Sequence, residues 1–328
     1  MADDRAGRQR GGWWWAAGVI VAVAMVLGFA DILGVARVPI IAGVLGPRNA
    51  LTIAAGVGAL VALAVSLIRP VRFVALPLAV ALAVTTAISA PIVLARGVAN
   101  TQPALSGQGQ LRILSWNTNG DLVAPQTIAA EATSLRANVI VLPAIDEREK
   151  SAVVDAFASR HLAMVASSVP GDEVLVLTDA SLGRRDTTGA GEPVGSQTLV
   201  LHPDDKGQPA LVALHADQPT LRGNAAWRDE LAWVADECSR GDAIVAGDFN
   251  ATLDELGDGG LGACRDAAAV VHAGSVGSWP TAVPTWLAMP LDHILVTPDW
   301  QVDSFTVLTD ADGSGARHRP VFAVLSRR

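Results

Sequence analysis

A chain of 328 residues, 51% of them hydrophobic and with a mean hydropathy of +0.37, is too apolar for two ordinary soluble domains. Its charge is divided unevenly: residues 1–98 hold eight Arg against three Asp, a net of +5, while residues 99–328 hold 16 basic and 29 acidic side chains, a net of −13. A surface that grips nucleic acid needs a basic footprint, so the acidic part argues against a nucleic-acid partner. Cys238 and Cys264, the two cysteines, form no CxxC pair and exclude both a disulfide framework and a cysteine metal knuckle. One disulfide between them or two buried free thiols are the open alternatives.

Three apolar runs fill the first hundred residues: about 13–33, 50–68 and 73–94. Each is about long enough to cross a hydrocarbon core of ~30 Å at ~1.5 Å per residue. The spacing predicts a three-helix transmembrane region over residues 1–95. The first run is followed at once by two more and lacks a small-residue cleavage site, so it reads as an anchor and not as a signal peptide. Arg5, Arg8 and Arg10 precede the first run, and Arg69 and Arg72 sit between the second and third. Arg37, Arg48 and Arg96 lie on the other side. This bias favours a cytoplasmic N-terminus and, with three spans, an extracytoplasmic C-terminal domain integral to the cell membrane. Trp13, Trp14 and Trp15 fit an interfacial belt. No run carries an ionisable residue near its middle, which argues for anchoring and against transport.

Residues 96–110 are rich in Gly, Pro and polar side chains and read as a linker. Beyond them, over residues 111–328, short β-type runs alternate with helical ones. Strands are expected at 111–116, 138–142, 174–178, 197–201, 210–215, 243–246, 293–297, 305–309 and 321–325. Helices are expected at 125–137 and 221–238, the latter with Trp227, Leu231 and Val234 on one face. Many strands with few helices imply two packed sheets covered by helices.

The strongest chemical signal is Gly247-Asp248-Phe249-Asn250 at the end of a buried strand. An acid and an amide two residues apart project the same way, one toward a metal or water and one toward a phosphate oxygen. Four further pieces keep it company: Ser115-Trp116-Asn117, His215, Pro290-Leu291-Asp292-His293-Ile294, and Arg317-His318-Arg319-Pro320-Val321. Their order and spacing over residues 111–326 resemble the endonuclease/exonuclease/phosphatase superfamily, which includes deoxyribonuclease I-like nucleases, inositol phosphatases and bacterial sphingomyelinases. With three spans in front, the layout is similar to the membrane-anchored actinobacterial type typified by the teicoplanin-resistance protein VanJ.

The resemblance implies a four-layer α/β/β/α sandwich, two packed mixed sheets flanked by helices, preceded by the three-helix transmembrane region. It implies that Asn117 helps hold a metal, that His215 contacts the scissile phosphate, and that Asp248 orients or activates water beside that metal. Asn250 would hold a phosphate oxygen, Asp292 would lie behind the site, and His318 would be the catalytic histidine. Mg2+ suits such carboxylate, amide and water oxygens. Two positions depart from the family. The strand over 138–142 should be followed by a metal-binding Glu, and the chain has Ala144; the residue before the last His should be an orienting Asp, and the chain has Arg317. Asp146 and Asp312 are the nearest substitutes.

His293, His161, His202 and His272 read as packing or surface residues, while Trp286 reads as packing or membrane-touching. The loop Ser278-Trp279-Pro280-Thr281 resembles one that often lies near the site in this family, and a buried, packed Trp279 is the commoner reading of such a sequence. The sequence therefore points to a membrane-anchored, extracytoplasmic, Mg2+-dependent phosphoesterase. Its expected partners are the lipid bilayer and a phosphorylated lipid, polyprenyl pyrophosphate or other small phosphoester, and its activity should be weakened by the losses at 144 and 317. The alternative is a catalytically degenerate member that binds a phosphorylated ligand or a cell-envelope partner. A nuclease fits the acidic charge least well.

Overall fold

The computed structural model describes residues 2–104, 107, 109–189, 197–220, 224–257 and 261–328, without the side chains of residues 2–11. Residues 105, 106 and 108 of the linker, the start of the helix expected from Leu221, and the side chains of Arg5, Arg8 and Arg10 lie outside the described residues.

The N-terminal third is helical: α1 (Ala2–Gly28), α2 (Pro39–Leu45), α3 (Arg48–Val65) and α4 (Arg72–Arg96). Two helical stretches, Arg48–Val65 and Arg69–Arg96, are long and apolar enough to cross a membrane, and the apolar part of α1, Gly12–Gly28, is shorter. The run expected to continue to Leu33 ends as helix at Gly28, whose missing side chain admits Ile88 of α4. Residues 29–38 turn back toward the rest of the molecule, and α2 follows with Pro39 at its first position, where no N–H is needed. These helices wear their apolar side chains outside. Beyond residues 13–98, the exposed large hydrophobics among the described residues are only Leu122, Val165, Val270 and Trp286.

From residue 111 the chain builds two mixed six-stranded sheets. The first is assembled from β1 (Leu111–Ser115), β2 (Val139–Pro143), β3 (Met164–Ser167), β4 (Val174–Asp179), β11 (Trp300–Val307) and β12 (Val321–Arg327), in the order β11-β12-β1-β2-β4-β3. The second contains β5 (Arg185–Gly189), β6 (Thr198–Pro203), β7 (Ala210–His215), β8 (Ala243–Asp248), β9 (Arg265–Asp266) and β10 (Asp292–Val296), in the order β5-β6-β7-β8-β10-β9. In each sheet one central pair, β1 with β2 and β7 with β8, runs parallel.

Period-two alternation distributes the buried side chains between two faces. Ile113, Val139, Val141, Ile244, Ala246 and Ile294 fill the core between the sheets. Leu114, Ile140 and Leu142 face the other way, against α5 (Pro125–Ser134) and α6 (Glu147–Ala158). Val212, Leu214 and Val245 face α7 (Ala225–Arg240) through Trp227, Leu231 and Val234. Two mixed sheets flanked by helices are thus the architecture, as the pattern predicts. Helix α6 and strands β3 and β5 were not among the expected elements.

The helical third is fastened to the sheets at one end. Arg48 and Arg96 both chelate Asp254, which lies on the one-turn helix α8 (Leu253–Leu256), through contacts of 2.7–2.9 Å. Arg37 donates to the Glu255 carbonyl at 2.8 Å, and Asn49 to the Ser275 carbonyl at 2.6 Å. At Gly97, φ is +88°, and a Cβ would lie 1.9 Å from the His272 carbonyl oxygen. Only glycine permits that approach. The following residues run along the edge of β11, where Asn100 exchanges two hydrogen bonds with Val307 and Ala104 donates to Ser304. Cys238 at the end of α7 is joined by a disulfide to Cys264, which resolves the sequence alternatives in favour of pairing.

Burial alone would raise the Asp254 pKa, but the two guanidiniums outweigh it and hold the carboxylate below its ordinary value. Its contribution to stability is therefore present above the unfolded-state carboxylate pKa and is lost as pH falls through the depressed folded value. Removing the carboxylate strands two arginines at the junction, at a cost of about 3–5 kcal/mol. Asp254→Ala is expected to lower the melting temperature in detergent by roughly 10 °C at neutral pH; a change below about 2 °C would refute the clamp. The disulfide closes a loop with a sequence separation of 26 and restrains the unfolded chain by about 3 kcal/mol. Replacing both cysteines with serine should lower the melting temperature, and reductant should then have no further effect on the variant.

Candidate active site

The register of the second sheet places three expected site residues in one row. His215 ends β7 opposite Asp248 in the parallel pair, and Asp292 opens β10 opposite the same Asp248 in the antiparallel pair. The close fit of β7 and β8 depends on Gly247, where φ is +153° and a Cβ would lie 1.8 Å from the Leu214 carbonyl oxygen. Asn117 and His318 arrive from the first sheet, just past the end of β1 and just before β12, which are paired neighbours. The indole of Trp116, fully buried, donates to the His318 carbonyl at 3.1 Å and ties those two ends together.

The side chains then meet. Asn117 Nδ2 donates to Asp248 Oδ2 at 2.8 Å, and the Asn250 backbone N–H donates to Asp248 Oδ1 at 2.9 Å. His318 Nδ1 lies 2.8 Å from Asp292 Oδ2, and its Nε2 faces Asp248 Oδ2 at 3.7 Å. Asn117, Asp248, Asp292 and His318 are all buried. Asn250 adopts φ of +46° and donates its side-chain amide to the Ala216 carbonyl at 2.8 Å. His215 is half-buried, and its Nδ1 has no hydrogen-bond partner.

Proton affinity in this cluster is shared. Burial is the main cause that raises the Asp248 pKa, with repulsion from Asp292 adding to it, while His318, His215 and the Asn250 N–H oppose the rise. Burial works against protonation of His318, but attraction and a hydrogen bond from Asp292, together with Asp248, overcome it and raise its pKa to about 9.

The arrangement corrects one expectation. Asp292, not residue 317, orients His318, and it does so through a direct contact. Arg317 is exposed and meets the region through its backbone N–H, which donates to Asn119 Oδ1 at 3.2 Å. Of the two substitutes considered, Asp312 is committed to the buried Arg319 at 2.7 and 2.8 Å, and Asp146 is an exposed residue at the start of α6. Ala144 follows β2 with φ of +55° and supplies only its carbonyl, which accepts from the Gly120 N–H. His293 is a buried structural residue between Asp266 at 2.8 Å and the Ala251 carbonyl at 2.9 Å. His161, His202 and His272 are on the surface.

The donor set was tested against a divalent cation. Asp248, Asp292 and His318 each offer one ligand atom within 4.8 Å of the others, and Asp292 Oδ1 is buried without a hydrogen-bond partner. Two carboxylates with an unsatisfied oxygen fit a cation. Asn117, expected as a ligand, instead turns its amide nitrogen to Asp248 and accepts the Asn119 N–H on its Oδ1 at 2.9 Å.

A cleft of about 240 Å³ opens beside His318 and Asn250. Trp279, whose loop reads from sequence either as near the site or as packing, is half-buried and tilts over His318 with ring centroids 6.3 Å apart. The Ser278 hydroxyl next to it accepts the Leu291 and Asp292 N–H groups at 3.2 Å each. The opposite wall comes from the helical third, through Ala42, Gly43 and Gly46. A sequence offers no sign of that wall, because the contact bridges some 200 positions and uses small residues.

The profile of the Endonuclease/Exonuclease/phosphatase family matches residues 114–318, more than half of the chain. No curated protein matches in sequence. Among solved structures, a humanized TDP2 of D. rerio carrying 14 mutations superposes with a TM-score of 0.55 at 16% identity, over 67% of this chain and 100% of that one. TDP2 of C. elegans gives 0.51 at 14% identity, over 66% and 75%. A family protein of Bacteroides thetaiotaomicron gives 0.50 at 16% identity, over 69% and 98%. At these identities the structural likeness establishes the fold alone. The match of the family profile over the stretch that holds every converging residue shows that the chain belongs to the endonuclease/exonuclease/phosphatase family.

Proposed function

We propose that this protein is a membrane-anchored, extracytoplasmic phosphoesterase that hydrolyses a phosphorylated lipid or polyprenyl pyrophosphate with the help of a divalent cation. The observation that carries the reading is the buried Asn117–Asp248–Asp292–His318 constellation, placed at the end of the sheets to which the apolar helices are fastened. We read the molecule as a VanJ-like membrane type, with a transmembrane region over 1–95 that spans three times, a tie at 96–110 and a catalytic domain at 111–328. Apolar side chains facing outward on residues 13–98 support insertion in a bilayer. Arg48 and Arg96 on the domain side share Asp254, which offsets one of their two charges and weights the basic bias toward the opposite end, where Arg69 and Arg72 lie. The Cys238–Cys264 disulfide suits an oxidising compartment. TDP2 of D. rerio has been seen with a single-stranded DNA product, but the −13 charge of residues 99–328 argues against such a substrate here.

In this reading Asp292 fixes the His318 ring so that Nε2 points at the reacting phosphate, and the imidazolium donates to an oxygen that gains charge. Asp248, held by Asn117 and the Asn250 N–H, accepts a hydrogen bond from the attacking water and aligns it. His215, with its free Nδ1, and Asn250 complete the ring of polar groups around the phosphate. Asp248 and Asp292 would hold the cation, with Mg2+ the ion expected from their oxygen donors; when bound, it draws charge from the non-bridging phosphate oxygens. Ala144 contributes no carboxylate, so the cation should be weakly held and turnover slow. That same loss favours the second reading, a member that binds a phosphorylated ligand without hydrolysing it.

Phosphate release from a lipid phosphate and a polyprenyl pyrophosphate by the full chain in vesicles tests the proposal. Slow, Mg2+-dependent release abolished by chelator is the expected result. Asp292→Asn should reduce it by at least ~10²-fold, since a misoriented catalytic group forfeits most of its electrostatic benefit. Binding with no release under any divalent ion would establish the degenerate reading instead.

Ala144→Glu should increase cation-dependent turnover by about tenfold, and lower the Mg2+ concentration needed for half-maximal rate, because it restores a carboxylate worth at least ~1.4 kcal/mol to the bound cation. Unchanged Mg2+ dependence in this variant would show that position 144 does not face the cation. Arg317→Asp should add little to the orientation of His318, whose partner is already Asp292.

A further inference from the structure

The cleft at the catalytic end is asymmetric in a way that the reaction does not require. Gln218, Asn250, Thr252, Glu255 and His318 give it polar lining, and Ala42, Gly43 and Gly46 of α2 and the turn after it line it without side-chain polar atoms. Met289 extends that wall, its sulfur packed against Gly46. A Cβ built on Gly43 meets nothing within 4 Å, so this stretch of helix borders open space and not protein. At the polar end Glu255 is 4% exposed. Its Oε2 accepts the Thr252 N–H and hydroxyl at 2.7 Å each, while its Oε1 is buried and has no partner.

The wall is fixed in place and continues into the apolar exterior. Arg37 before α2 and Arg48 after it both bond to α8, the helix that carries Glu255, so wall and polar end move as one. On the outer side of the same segment Val38, Ile40 and Val44 are exposed, in line with the apolar exposure of α1 and α3. A sugar or nucleotide phosphate bound at His318 would press polar groups against Ala42, Gly43 and Met289, where nothing can bond to them. A lipid phosphate places methylene groups there.

We infer that α2 is the chain-contacting wall of a lipid-phosphate subsite: the phosphate head lies against His318 and Asn250, and the first apolar segment of its chain runs along Ala42, Gly43 and Gly46 toward the bilayer. The inference rests on the proposed action on a phosphorylated lipid, and it assigns to the helical third a share of substrate recognition beyond anchoring.

A lipid phosphate with a photoreactive diazirine on the first carbons of its chain, incorporated into vesicles with the full-length protein, tests it. After irradiation, peptide mass spectrometry should find the label on residues 39–46 or Met289. Gly43→Phe should cut that labelling by at least about tenfold, the loss expected from blocking a contact worth one decade of affinity. The variant should retain the melting temperature of the parent, because the new ring enters open space. Label confined to the outward faces of α1, α3 and α4, or label on α2 undiminished by Gly43→Phe, would overturn the inference. The two readings fail separately: phosphate release without label on α2 rejects only the subsite, and label on α2 without phosphate release rejects only hydrolysis.

Discussion

The register of three strands governs everything at the catalytic end. Asp248 is opposite His215 in β7 and opposite Asp292 in β10, so one row of the pleated sheet carries two carboxylates and an imidazole side by side. A strand slipped by one residue turns its side chains to the other face. Slippage of β10 would replace Asp292 with His293, which already has its own buried partners in Asp266 and the Ala251 carbonyl. Register is therefore defended from both sides: by the carboxylate that must reach His318, and by the neighbour that must not leave Asp266.

Several buried charges are paired within the fold. Arg48 and Arg96 share Asp254, His293 is paired with Asp266, and Arg319 is bound by Asp312 and three carbonyls. These groups are satisfied, as buried charges must be. Other buried atoms have no partner among the described residues: Arg185 Nε and Nη2 and Arg265 Nε away from the site, and His215 Nδ1 and Asp292 Oδ1 within it. Under the proposed function, a bound cation would satisfy Asp292 Oδ1.

Much of this was legible in the chain. Strands such as Leu111–Ser115, Val139–Pro143 and Ala243–Asp248 are buried on both faces, and their unbroken apolar runs are visible without a structure. Edge strands β3 and β5 are not, since Met164–Ser167 is partly exposed and Arg185–Gly189 is polar. The site residues could be named from their motifs, but their pairings could not. Asp292 and His318 are separated by 26 positions and meet only because β10 and the start of β12 end at the same level in different sheets. The expectation that Arg317 deprives His318 of support treated adjacency in sequence as adjacency in space. The described residues of the linker beyond Arg96 form no helix or strand, as their composition suggests, but their contacts were not legible: Asn100 and Ala104 bond along β11 and Gly97 is wedged against His272.

Two substitutions that look equivalent in sequence have unequal consequences in space. Arg317 leaves the acid–base pair intact, because Asp292 holds His318 and Arg317 points to solvent. Ala144 is different: it stands in left-handed backbone conformation at the end of β2, and Asp312, committed to Arg319, does not replace its missing side chain. Under the proposed function, the proton-handling half of the site is thus complete while the cation-holding half is thinned to Asp248 and Asp292. An enzyme in that condition depends more heavily on substrate positioning, which can supply several kcal/mol of the barrier when the reacting groups are held in place. Fastening the site to apolar helices, with α2 lining the cleft, is a physical route to such positioning: under the proposed function, a lipid confined to a bilayer would reach the phosphate site with its orientation already restricted.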